Sequence, residues 1–181
     1  MAHPLSALRR GSTPAWLGLG ARLVVGGVMI AAGLIKLPDP AASIEAVRAF
    51  ELVPAPLVEP IGYLLPPLEV VVGLALVLGL MTRGAAVIAS VLLVAFIIGI
   101  ASAWARGLEI DCGCFGDGGA DPDAASQYPW EIARDVGLLA LSVLLVRWGG
   151  GRLALDSLLF RPPVVREPTP ALDDLNEGSL S

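Results

Sequence analysis

GAAVIASVLLVAFIIGIASAW, residues 84 to 104, decides the fold. It carries no charged side chain and is long enough, as a helix, to cross the ~30 Å hydrocarbon core of a bilayer. Just upstream lies IGYLLPPLEVVVGLALVLGL, residues 61 to 80, joined to it by a turn at residues 81–83. Further out are WLGLGARLVVGGVMIAAGLIKL, residues 16 to 37, and WEIARDVGLLALSVLLVRW, residues 130 to 148. The uncharged core of the last block, residues 136–146, is short, but Trp130 and Trp148 bracket a span of the right length. Trp16 and Trp104 also stand at block ends, so all four tryptophans mark expected membrane interfaces.

Composition agrees. The 181 residues are 55% hydrophobic, with a mean hydropathy of +0.75. The apolar residues come in blocks rather than in half-buried periodicity. A net charge of -5 argues against a nucleic-acid partner. The expectation is an all-α integral membrane four-helix bundle. Residues 1–15 form a cytoplasmic segment, 16–148 the four-span domain and 149–181 a cytoplasmic, largely disordered tail rich in proline and acid. Arg9 and Arg10 precede the first block as in a signal peptide, but Arg22 interrupts it and no small-x-small site follows, so the block reads as an uncleaved span.

Lysine and arginine set the orientation. Arg9, Arg10, Arg83, Arg147, Arg152, Arg161 and Arg166 share one side; Lys36, Arg48, Arg106 and Arg134 share the other. The excess places both termini in the cytoplasm of a plasma-membrane protein. The loop between spans three and four then faces outward, where disulfides are permitted.

Between the first two spans, PDPAASIEAVRAFELVPAP (38–56) places Ile44, Val47 and Phe50 at a spacing of three, with Glu45, Arg48 and Glu51 between them. This is a short amphipathic helix, lying on the outer interface or packed on the bundle.

The outward loop holds DCGCFGDGG, residues 111 to 119, with both cysteines of the chain. Cys112 and Cys114 are close enough to bridge, and Gly113 permits the bend. Such a bridge closes almost no chain, so it adds little stability. It is strained and exposed, which makes it readily exchanged. Asp111 next to Cys112 disfavours the thiolate, and Arg106, close in sequence, is a candidate to offset it; the sequence does not decide between them. A metal site lacks further ligands: the one histidine, His3, lies across the membrane. GDGG lacks the lysine of a phosphate loop.

Ionisable residues inside a bilayer are costly and point to function or to a fixing ion pair. Glu69 sits mid-span and Arg22 several residues into span one. Their depths differ by roughly one helical turn, within reach of an arginine, so the two are candidate cofactor-binding residues or a register-fixing pair. Lys36 is expected to snorkel to the headgroups. Pro66 and Pro67 are expected to kink span two beside Glu69, and Arg134 and Asp135 are further candidates near the cysteine side.

DCGCFG between spans three and four resembles the methylamine utilisation protein MauE family, within the wider DoxX-like group of redox-associated membrane proteins. The resemblance extends through RLVVGGVMIAAGLIKLPDP, FELVPAPLVEPIGYLLPPLEVVVGLALVLG and DVGLLAL, roughly residues 20 to 148. It implies a four-helix membrane protein associated with disulfide formation in an exported enzyme, alongside a thioredoxin-like partner. The layout is also similar to four-helix thiol oxidases of the vitamin K epoxide reductase and DsbB kind, which implies quinone as a cofactor. The chain differs from those in having one cysteine pair and no Cys-x-x-Cys. The expected function is thiol–disulfide exchange at Cys112 and Cys114. A non-enzymatic membrane scaffold and a small transporter with Glu69 and Arg22 on its path are the alternatives.

Overall fold

The computed structural model describes residues 13–111, 119–120 and 123–148. Five helices and one small hairpin account for most of them. The helices are α1 (Thr13–Lys36), α2 (Pro40–Ala49), α3 (Ala55–Leu78), α4 (Thr82–Ala105) and α5 (Ala124–Trp148). Strands β1 (Ile110–Asp111) and β2 (Gly119–Ala120) pair antiparallel, Ile110 with Ala120 and Asp111 with Gly119.

The boundaries follow local chemistry. Asp39 caps α2 by accepting the Ala42 N–H at 3.0 Å, and Pro40 takes the first turn, where no N–H is required. Gly79, at φ 72°, ends α3: its N–H reaches the Ala75 and Leu76 carbonyls. Met81, at φ 44°, completes the tight turn into α4. Two expected boundaries move outward. Helix α3 starts at Ala55 rather than residue 61: Pro56 takes its first turn, where a missing N–H costs little, and the helix runs on through Pro60. Helix α5 starts at Ala124 rather than residue 130. Despite Pro66 and Pro67, α3 runs unbroken from Ala55 to Leu78; the two prolines leave the carbonyls of Gly62 and Tyr63 without their helical donors.

The long helices touch in a cyclic order: α1 on α3, α3 on α4, α4 on α5, and α5 back on α1. Helix α2 lies against α3. Along α1 and α3, which run antiparallel, glycines set the spacing. A Cβ on Gly26 would stand 2.8 Å from the Gly73 carbonyl oxygen, and one on Gly33 would stand 2.7 Å from that of Pro66. Backbones approach this closely only where side chains are absent. Gly62 plays the same part for α2, which brings the Ile44 backbone against α3.

One core joins Val25, Met29, Val72, Leu76, Ala89 and Leu93. A second, at the hairpin end, joins Ile100, Ala103, Ala124 and Tyr128, with Phe50 and Phe96 packed on it. The distribution is otherwise inverted relative to a water-soluble domain. Leu23, Leu34, Leu64, Val71, Val91 and Ile98 are exposed, whereas Arg22, Glu69, Thr82, Asp135 and Ser142 are buried. Lipid-facing apolar surface around a polar interior suits a bilayer. Three helical stretches are long and apolar enough to cross one: Trp16–Lys36, Ala55–Leu78 and Thr82–Ala105. Helix α5 matches them in length, but Glu131, Arg134 and Asp135 make its first half more polar. Trp16 and Trp104 are exposed near helix ends, as interface residues would be, and Trp130 is exposed nearly two turns into α5.

Candidate functional site

The connection from α4 to α5 is built around the hairpin. Gly107, at φ 68°, turns the chain out of α4. The pairing of residues 110–111 with 119–120 brings together the chain on either side of residues 112–118. Cys112 and Cys114 lie between these strands in the sequence, outside the described residues. The hairpin itself is clamped. The Tyr128 hydroxyl, buried in α5, donates to the Leu108 carbonyl at 2.7 Å or the Ile110 carbonyl at 2.8 Å, and it accepts the Ile110 N–H at 3.2 Å. Arg106 ties the same region to the end of α2. It donates to the Phe50 and Ser102 carbonyls and lies 3.7 Å from Glu51. The cation that the sequence offered as an offset for Asp111 is thus engaged with α2. Helix α2 also touches β2.

Glu69 is fully buried in α3, as an intramembrane acid in a pocket would be, but its partner is not Arg22. Both carboxylate oxygens accept from Lys36 Nζ, at 3.1 and 3.2 Å. The ammonium also lies 5.5 Å from the centre of the Phe96 ring, over its face. Lys36 therefore turns inward rather than snorkelling to headgroups. Its side chain is 9% exposed. Arg22 is bound two turns away, donating from Nε to the Leu76 carbonyl at 2.9 Å and from Nη2 to the Val77 carbonyl at 3.1 Å. These are carbonyls of the last turn of α3, the negative end of the helix dipole, which attracts a cation; Leu76 also accepts the Gly79 N–H at 3.1 Å. Arg22 is a helix-end cap, and the two expected cofactor-binding residues are not brought together.

What does join Glu69 is Asp135. A cavity of about 20 Å³ lies between α1, α3, α4 and α5, lined by Glu69, Arg134, Asp135 and Phe96 among others. Asp135 is 2% exposed. Its Oδ1 accepts from Arg134 Nε at 3.0 Å, while its Oδ2 has no hydrogen-bond partner among the described residues. The space holds about one water molecule, which would satisfy that oxygen. The sequence named Arg134 and Asp135 only by their position near the loop. The spacing of α5 against α3 that unites them with Glu69 has no local signature.

Beneath α2 is a larger cavity of about 280 Å³. Its roof is the apolar face of α2, with Ser43, Val47 and Phe50; its floor and walls come from α3 and α4, with Pro66 and Phe96; Lys36 closes one end. The periodicity of Ile44, Val47 and Phe50 thus serves packing on the helices rather than simple interface contact. The outward face of α2 carries the Glu45–Arg48 ion pair.

A family model described as methylamine utilisation protein MauE matches residues 14–148. No curated protein and no solved structure matches.

Proposed function

The chain belongs to the methylamine utilisation protein MauE family, and from that premise we propose that it is a four-span plasma-membrane protein that carries out thiol–disulfide exchange at Cys112 and Cys114 during maturation of an exported enzyme. Both termini are cytoplasmic and the cysteine loop is extracytoplasmic. The partner is a thioredoxin-like protein or the maturing enzyme itself. The family's description names methylamine utilisation, and in this reading the matured enzyme serves that metabolism.

The observation that carries this reading is the clamped hairpin. Its two strands are too short to hold themselves together, yet Tyr128 commits a buried hydroxyl to their base, donating to the Leu108 or the Ile110 carbonyl and accepting the Ile110 N–H. Such a clamp fixes where the Cys-Gly-Cys loop leaves the membrane domain, as a site that must meet a soluble partner requires. One observation favours a second reading, a non-enzymatic assembly scaffold: Arg106 is engaged with Phe50 and Glu51 rather than available to promote a thiolate.

The test is thiol trapping in intact cells with a membrane-impermeant maleimide, with and without mild reductant. The exchange reading expects labelling of both cysteines only after reduction. It also expects a mixed disulfide with an exported protein that disappears in Cys112→Ser and Cys114→Ser. Maturation unimpaired in the double serine variant would overturn it in favour of the scaffold.

A further inference from the structure

The cavity under α2 stands at a membrane edge. Helices α1 and α3 are both long and apolar enough to cross a bilayer, and α2 joins the end of one to the start of the other. The outward face of α2 carries the exposed Glu45–Arg48 pair, and its inward face roofs the cavity. An amphipathic helix so placed lies about 5–10 Å into the boundary between headgroups and acyl chains. The space beneath it is at the depth where the ester groups of a lipid give way to hydrocarbon. Leu52 and Ile61 line the cavity and are also exposed, so it opens sideways toward lipid.

The lining narrows the occupant. Val47, Val53, Leu65 and Ile100 make most of the wall hydrocarbon. An empty space of about 280 Å³ forfeits the contacts its walls would otherwise make, and water cannot fill apolar space that offers it few polar partners. One polar group in the wall is unsatisfied. Ser43 is 7% exposed, and its Oγ has no hydrogen-bond partner among the described residues. A buried hydroxyl in that state is unfavourable, and its hydrogen rotates toward any acceptor that arrives. The charge at the other polar group is already matched: Lys36 lies 3.1 Å from Glu69. A carboxylate or a phosphate would bring an unmatched charge into apolar surroundings, at a large cost. An apolar chain that carries a neutral carbonyl fits each feature, and an acyl ester is such a group. Its chain fills the hydrocarbon space, its carbonyl accepts from Ser43, and its phosphate stays outside among the headgroups.

We infer that this cavity is a binding site for one acyl chain of a membrane phospholipid, held by a hydrogen bond from Ser43 to its ester carbonyl. The chain packs against Phe50, a lining residue whose own carbonyl accepts from Arg106. A bound lipid therefore also steadies the contact between α2 and the hairpin end. The site depends on the cavity alone and not on thiol exchange.

The test uses the full chain in detergent micelles, titrated with dioleoyl phosphatidylcholine and, separately, with its diether analogue, which has no ester carbonyl. Native mass spectrometry counts the bound lipid. Saturable binding of the ester lipid is expected, with the ether analogue about fivefold weaker, the worth of one hydrogen bond. In Ser43→Ala the two lipids should bind alike. Ala46→Trp, which fills the cavity from α2, should abolish the saturable binding. Gly27→Ala, at a position where an added Cβ meets nothing within 4 Å, should leave it unchanged. Equal binding of the two lipids by the parent, an ester preference that survives Ser43→Ala, or binding unaltered in Ala46→Trp would overturn the inference. The Ser43→Ala result is a ratio of two lipids on one protein, so a general loss of stability does not imitate it.

Discussion

Lys36 is the residue on which the buried polar interior turns. It neutralises Glu69, caps one end of the large cavity and lies over Phe96. Lys36→Met would leave a carboxylate buried and unpaired, with an expected loss of about 3–5 kcal/mol. Unfolding of the purified protein in mixed micelles measures it, and adding Glu69→Leu should recover most of the loss, because the pair together is worth far less than either half alone. Tyr128→Phe removes only the clamp. It should cost about 1–3 kcal/mol locally and speed amide exchange at Ile110, while α4 and α5 exchange as before. Glu69 was legible in the sequence as an acid inside a span. Its partner was not, because depth along two spans says nothing about their rotation and offset. Gly26 faces Gly73 and Gly33 faces Pro66; this register sets Arg22 beside Leu76 and Val77 and leaves Lys36 as the cation within reach of Glu69.

At the scale of elements, glycine contacts govern the α1–α3 pair. Gly33→Val would drive a side chain into Val70 and the Pro66 carbonyl, where even a Cβ comes within 2.7 Å. Expression and thermal stability in detergent should both fall, by about 2 kcal/mol or more for a clash on this scale. Gly27→Val, on the open face of the same helix, should change little. For α2, Asp39→Ala removes the cap on the Ala42 N–H, with an expected cost of about 1 kcal/mol, read as faster exchange in its first turn. The long apolar spans and the amphipathic α2 were readable because their periods and lengths are strong signals. The hairpin was not: two-residue strands have no period, and what holds them is a tyrosine from a helix that follows.

For the whole molecule, the two ends differ in what they carry. The hairpin, α2 and the large cavity share one end; the turn at Gly79–Met81 and the Arg22 cap share the other. On a cysteine-free background, Glu45→Cys should react with an impermeant maleimide in intact cells, whereas Met81→Cys, at the exposed turn, should react only after permeabilisation. The reverse result would invert the proposed orientation. Arginine and lysine counts gave a direction to this expectation, but the convergence of Glu69, Arg134 and Asp135 on one small cavity depends on four helices meeting, which no single segment encodes.

Arg22 is anchored to the last turn of α3 and Lys36 to Glu69 near its middle, and the two lie on one face of α1, roughly four turns or about 21 Å apart. Helix α1 is in this sense a ruler with two marks. Removing one residue between the marks would swing one anchor by about 100° about the helix axis relative to the other, so Arg22 and Lys36 could not both reach their places. Removing a full turn's worth would keep their direction and shorten only the distance. The length of this segment is thus quantised in helical turns, and tolerated changes in it should come in steps of three or four residues rather than one or two.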